Sequence, residues 1–208
     1  MESAAYIFDM DGVLIDSQPL HFEADRSTLR ACGVTGDLGF VTSCAGMATA
    51  ERMALYKEKF NVTAAVKDMI ATSKRLARET FAEAPLCAIP GIENWLAALR
   101  GQGMPLAVAS STAGDLIRII LKRTGLAGYF DIIVSGEDLP RSKPHPDVFL
   151  LAAKLLGVAP ERCTVVEDSS NGVLAAKRAG MRCVGYRNPN SGEQDLSLAD
   201  TIVYKYDV

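Results

Sequence analysis

Only two histidines occur in the 208 residues, His21 and His145, and only one tryptophan. Cysteine is sparse as well. Cys32, Cys44, Cys87, Cys163 and Cys183 are odd in number, and no two have Cys-x-x-Cys spacing. A disulfide framework and a thiolate zinc site are therefore not expected, and the pattern suits reduced, buried thiols. There is no basic excess. Lys and Arg total 22 against 25 Asp and Glu, a net charge of −3, so the electrostatic footprint of a nucleic-acid binder is missing. No apolar run is long enough for a membrane span. Met1 leads into an apolar segment without a basic leader, so no signal peptide is expected. Repeats and low-complexity tracts are also lacking. The expectation is a cytoplasmic monomer with no membrane or nucleic-acid partner.

What the chain does have is core-forming material. It is 49% hydrophobic and 23% charged, enough for one ordinary domain or one domain with a modest insertion. The apolar run Ala4–Phe8 reads as a buried strand. Pro19 opens a helical pattern to about Cys32, with Gly33 as its stop. From there to about Ala84 the periodicity is helical, over residues 50–60, ended by Asn61, and over residues 63–81. The second of these carries a basic face, Lys67, Lys74, Arg75 and Arg78, which reads as solvated. After Pro85 the rhythm changes. A helix from Pro90-Gly91 to Leu99 precedes strands at Leu106–Ala109, Ile132–Val134, Thr164–Val166, Cys183–Tyr186 and Ile202–Val203. Helices at Ala113–Thr124, Asp147–Leu156 and Asn171–Ala179 alternate with them. Such alternation predicts an α/β fold, a Rossmann-like parallel sheet covered on both faces. The organisation expected is an α/β core of residues 1–16 and 85–208, with a small all-helical block, residues 17–84, inserted after the first strand.

In open α/β sheets ligands bind beyond the carboxyl ends of the strands. Four such ends carry chemistry: Asp9-Met10-Asp11-Gly12, Ser110-Ser111-Thr112, Ser142-Lys143-Pro144 and Glu167-Asp168-Ser169. Asp9 and Asp11, two apart on extended chain, project to the same side. With Glu167 and Asp168 they form an all-oxygen acidic cluster that calls for a hard divalent cation, Mg²⁺. A lysine and hydroxyls in the same crevice supply the point charge and donors that a phosphate needs. Taken singly, each segment could be a helix cap or turn. Their joint appearance at successive strand ends points to a phosphoryl site.

Asp9-Met10-Asp11-Gly12-Val13-Leu14-Ile15-Asp16-Ser17 resembles the first signature of the haloacid dehalogenase-like phosphatases. Val108-Ala109-Ser110-Ser111, Ser142-Lys143-Pro144-His145-Pro146-Asp147 and Val166-Glu167-Asp168-Ser169 resemble the other three. The helical insertion is similar to that of the subgroup containing β-phosphoglucomutase and sugar phosphatases. The resemblance implies Asp9 as nucleophile and Asp11 as general acid/base. It implies Mg²⁺ held by Asp9, the main-chain carbonyl of Asp11 and Asp168, with Glu167 acting directly or from behind them. Ser110, beside Ser111, would hold the transferring phosphate, and Lys143 would offset charge on the nucleophile and phosphoryl oxygens. Dehalogenation is not implied, because the dehalogenases lack the second Asp.

The helical block would close over the site as a cap, hinged near Asp16–Pro19 and Ala84–Ile89. His21, just past the first hinge, either couples closure to Asp11 or faces solvent. Related phosphoglucomutases carry a cap arginine shortly after a glycine equivalent to Gly46, but here Thr49 stands in its place. Arg52, one helical turn later, is the candidate substitute, and Lys74 and Arg75 are possible grips. His145 reads as structural, Asp147 as a helix cap, and Asp16 and Ser17 as shaping the hinge. The function expected is Mg²⁺-dependent hydrolysis of a small phosphorylated metabolite, with a sugar phosphate as the substrate class. The alternatives are a β-phosphoglucomutase-like isomerase and, from another class, a phospho-aspartate receiver domain.

Overall fold

The computed structural model of the chain describes residues 3–35, 38–44, 47–137 and 139–207. Six strands form one sheet: β1 (Ala5–Phe8), β2 (Leu106–Ser110), β3 (Ile132–Ser135), β4 (Cys163–Glu167), β5 (Arg182–Tyr186) and β6 (Thr201–Val203). They lie in the order β3-β2-β1-β4-β5-β6, and every pairing is parallel. β2 and β4, buried at all five positions each, are the continuous apolar runs that a doubly covered sheet requires.

Alternate residues of each strand feed opposite faces. Phe8, Val108 and Val166 pack with helices α4 (Ile92–Gly101) and α5 (Gly114–Arg123). Ile7, Ala107 and Val165 pack with α6 (Asp147–Leu156) and α7 (Ser170–Arg178). This period-two division is what a strand between two helix layers dictates. The order of strands reverses about β1, the point where an open sheet leaves a crevice.

Between β1 and α4 lie α1 (Gln18–Ala31), a 3₁₀ turn at Gly39–Cys44, α2 (Thr49–Lys59) and α3 (Val66–Glu83). Pro19 sits in the first turn of α1, where its missing N–H costs nothing. These elements bury their own cluster, including Leu29, Val41, Met53, Tyr56 and Met69. The two connections to the sheet run side by side: Ile15 bridges Ala88, and Ile89 N donates to the Leu14 carbonyl at 2.9 Å.

Two expectations need correction. Asp147 does not cap α6. Pro146 occupies the cap position, and Asp147 is the first helical residue, its carboxylate taken by Arg141 at 2.8 Å. Nor is the basic face of α3 simply solvated. Lys74 reaches Glu137 at 2.8 Å and Arg78 reaches Asp115 at 2.9 Å, both across to the sheet domain. Arg75 pairs only along its own helix with Glu79, and Lys67 is exposed. Gly46 lies outside the described residues.

Ile7 is fully buried in the central strand, whereas Leu155 is 52% exposed on α6. Ile7→Ala is expected to cost about 2–5 kcal/mol and Leu155→Ala less than about 0.5 kcal/mol. Urea denaturation of the two variants checks the contrast.

Candidate active site

The register of the sheet assembles the site. Phe8 pairs with Val108 on one side and Val166 on the other. The residues just past them, Asp9, the end of β2 and the end of β4, therefore meet at one edge. Lys143 enters from the loop after β3 and is buried. Its ammonium donates to Asp9 Oδ1 at 2.7 Å, Glu167 Oε1 at 2.8 Å and the Ala109 carbonyl at 3.2 Å, which accounts for all three protons. It also lies 4.8 Å from the centre of the Phe149 ring. Burial disfavours the charged lysine, but Asp9 and Glu167 outweigh this and hold it well above the usual lysine range.

Glu167 is a supporting residue. Its Oε2 accepts from the Asp168 and Ser169 amides, each at 2.8 Å, and from the Ser169 hydroxyl at 2.9 Å. With Oε1 on Lys143, both oxygens are committed. Gly172 makes room for it: a Cβ there would lie 1.7 Å from Oε1. Gly12 does the same for Asp168. Its φ is +82°, and a Cβ would stand 1.9 Å from Asp168 Oδ2.

Asp9 keeps Oδ2 clear of hydrogen-bond donors from the described residues, and it lines the pocket. Burial, then the charges of Glu167 and Asp11, raise its pKa to about 7 against the pull of Lys143. Asp168 is raised as well, by burial and then Glu167. The physical cause is plain: three close carboxylates share one cation. One oxygen from each of Asp9, Glu167 and Asp168 lies within 4.8 Å of the others, all buried. The Asp11 main-chain carbonyl accepts no hydrogen bond from the described residues. This oxygen-only, over-negative set fits a hard divalent cation. Asp9, Asp168 and the Asp11 carbonyl are its candidate ligands, and Glu167 is better placed behind them.

Asp11 is held differently. Its Oδ1 accepts from Ser17 at 2.6 Å and His21 at 2.7 Å. Its Oδ2 accepts from Thr112 at 2.7 Å and Ser110 at 3.2 Å. Burial works against the charge, but His21 and the hydroxyls hold the carboxyl well below the usual range. His21 thus faces Asp11 rather than open solvent, with its ring centre 4.8 Å from that of Phe81.

The residues expected for catalysis and metal binding group together closely, whereas of the possible cap grips Lys74 lines the cavity and Arg75 does not. Asp9, Asp11, Ser110, Lys143, Glu167 and Asp168 form the floor, and Ser111 and His21 line the wall. Arg52 lies in the far wall of the same cavity, paired with Asp25. Sequence reasoning missed the loop after β5. There Ser191 Oγ donates to Asp168 Oδ2, and Asn188 Nδ2 donates to the Gly12 carbonyl at 2.9 Å. It also passed over Gly172, and it named Thr112 only as part of the segment Ser110-Ser111-Thr112. The strand-end rule that found the other segments would have found Asn188–Ser191 had it been applied past Tyr186.

The sequence pattern of the family described as haloacid dehalogenase-like hydrolase matches residues 6–186. The chain belongs to this family. Among curated members, a phosphorylated carbohydrates phosphatase of Thermotoga maritima is 35% identical over 181 residues, 85% of this chain and 82% of its own. Hexitol phosphatase B of Escherichia coli is 35% identical over 203 residues, 94% of this chain and 89% of its own. The solved structure of CbbY from Rhodobacter sphaeroides, in complex with xylulose-(1,5)bisphosphate, superposes with a TM-score of 0.87. It is 28% identical and covers 98% of this chain and 95% of that one. The parallel sheet of these hydrolases is thus the sheet found here.

The raised pKa of Asp9 sets the sign of a pH effect. The metal-free fold holds that proton more tightly than the unfolded chain, so it loses stability as pH rises from about 4 through about 7. A bound cation must displace the proton, so affinity grows over the same window. Thermal melting at fixed Mg²⁺ is expected to show a larger metal-induced rise in Tm near pH 8 than near pH 5.5. An equal rise at both would mean that Asp9 is not a ligand.

Proposed function

We propose that the chain is a Mg²⁺-dependent phosphatase of small phosphorylated metabolites, with sugar phosphates as the substrate class, acting through a phospho-aspartate on Asp9. The observation that carries this reading is the division of labour between two neighbouring carboxylates. Asp9 has one oxygen fixed on buried Lys143 and the other open to the cavity. Asp11, two residues on, is oriented by four donors in the same cavity. The relatives named as carbohydrate and hexitol phosphatases support the substrate class.

Asp9 Oδ2 attacks phosphorus, the ester P–O bond breaks, and Asp11 gives a proton to the leaving alkoxide. Water then attacks the acyl phosphate in line. Asp11 takes a proton from it, and the bond to Asp9 breaks to release phosphate. Asp11 must therefore be protonated when substrate is bound. An incoming phosphate competes for the Ser110 and Thr112 hydroxyls and adds negative charge, and both changes drive the Asp11 pKa upward. Lys143 neutralises the nucleophile throughout. Mg²⁺, when bound, would supply positive charge to offset the carboxylates and phosphoryl oxygens, held by Asp9, Asp168 and the Asp11 carbonyl. The helical block acts as a cap, its α1 carrying His21 onto Asp11 and its far wall meeting the rest of the substrate. Membership of the hydrolase family sets the receiver-domain reading aside.

Release of free phosphate from a panel of hexose and hexitol monophosphates tests the proposal. Asp9→Asn is expected to lower kcat by at least about 10³-fold and Asp11→Asn by about 10²–10⁴-fold. Chelation should abolish turnover and Mg²⁺ restore it. Full activity in Asp9→Asn would sink the covalent route.

A further inference from the structure

The far end of the cavity over Asp9 is walled by α1, α2 and α3. We propose that this end is built for the uncharged, hydroxyl-bearing tail of a monophosphate and rejects a second phosphate. The Asp25–Arg52 pair sets that selectivity. This deepens the phosphatase reading above and rests on it.

A cation meant for a phosphate must present its charge and its donors to the ligand. Arg52 has its charge offset by a buried carboxylate, and part of its fork is turned to the backbone. Its Nε lies 2.9 Å from Asp25 Oδ2, and its Nη1 donates to the Met47 carbonyl at 2.5 Å. Asp25 is only 3% exposed, and it is fixed from its other side by the Tyr56 hydroxyl at 2.9 Å. Burial and then the charge on Asp25 keep the Tyr56 phenol protonated, so it remains a donor. The wall thus contains an arginine whose charge Asp25 already offsets, so the pair offers no net positive charge to a second phosphate.

The remaining cations of the wall are also engaged. Lys74 lies 2.8 Å from Glu137 and Arg78 lies 2.9 Å from Asp115. Each pair joins α3 to the sheet domain, so a phosphate that captured either cation would have to break a tie between the two. The other polar groups in the lining are neutral: Gln18, Thr49 and Ser73. Such groups exchange hydrogen bonds with hydroxyls and leave a dianion uncompensated. The similar fold of CbbY was solved holding a bisphosphate. The present wall is charged for a different ligand.

The pair also ties α1 to α2, a role that would show itself as a general loss of activity. The experiment separates the two roles. Full-length protein with Mg²⁺ is assayed on acetyl phosphate, which has no tail, on the monophosphate it turns over best, and on the bisphosphate bearing the same reacting end. The wild type is expected to favour the monophosphate over the bisphosphate by at least about tenfold in kcat/KM. Asp25→Asn keeps an acceptor for Tyr56 but frees the charge of Arg52. It should narrow that ratio at least about fivefold, chiefly through KM for the bisphosphate. Asp25→Asn with Arg52→Gln should restore the ratio. Should Asp25→Asn not fold, Arg52→Gln alone, which leaves Asp25 uncompensated, should widen it. A wild type that turns over both equally, or variants that lower both in step, would overturn the inference while leaving the phosphatase reading intact. Failure to hydrolyse any of the three substrates would overturn both.

Discussion

A single buried ammonium organises this protein's chemistry. Lys143 is only 4% exposed, so its protons need fixed acceptors, and Asp9, Glu167 and the Ala109 carbonyl supply them. Removing one partner of such a buried arrangement typically costs about 3–5 kcal/mol, because the other charge is stranded. The rest of the floor follows from that requirement. Glu167 can lie under the site because the residues leading into α7 offer the Asp168 and Ser169 amides and the Ser169 hydroxyl, and its first turn has a glycine at position 172. Asp9 and Asp168 then remain with more negative charge than one lysine can offset. The same lysine that pairs with Asp9 therefore leaves the site short of positive charge, which is what a divalent cation would relieve.

The second carboxylate is governed by a different balance. Asp11 has no cation of Lys143's kind, and its charge is carried by three hydroxyls and His21. Two of those donors, Ser110 and Thr112, lie at the end of β2 and in the loop after it, and His21 belongs to α1. The orientation of Asp11 therefore depends on how the helical block sits on the sheet. Three features fix that seating. The paired connections at Ile15 and Ala88 limit how it can pivot. Phe81 buries itself in the sheet domain's core cluster although it lies on α3. The Lys74 and Arg78 pairs close the opposite side. These last are partly solvated and individually weak, so they suit a contact that opens and closes.

Much of this was legible in the sequence, and for a specific reason. Parallel strands buried on both faces are continuous apolar runs, so their ends are marked where charge or hydroxyl begins, and Asp9, Ser110 and Glu167 stand at such marks. Lys143 was legible from its motif rather than from any strand. What was not legible depends on approach between distant segments. The strand-end rule would place Asn188–Ser191 at the site's edge but not say that it contacts Gly12 and Asp168, and Gly172 looks like any glycine in a helix start until Glu167 is placed beneath it. The α3 basic face was misread because period alone cannot distinguish lysines that face solvent from lysines that face another domain's carboxylates. Asp147 was misread as a cap because Pro146 already holds that position.

On the phospho-aspartate route proposed above, the far wall bears on which acceptor takes the phosphoryl group from Asp9. Transfer to a sugar rather than to water demands that a phosphorylated alcohol be held while its free hydroxyl reaches the acyl phosphate. The holding force must come from cations at the tail end of the cavity. Here the half-buried Arg52 of that wall is paired with Asp25, and Thr49 stands where the resemblance to the mutases would place a cap arginine. On the route proposed above, the dephosphorylated product would be a neutral polyol that this wall holds through hydrogen bonds, so it would leave and water would enter. Hydrolysis would then need no device to activate water beyond Asp11. The outcome would follow from a charge balance set at Asp25, 16 residues beyond Asp9.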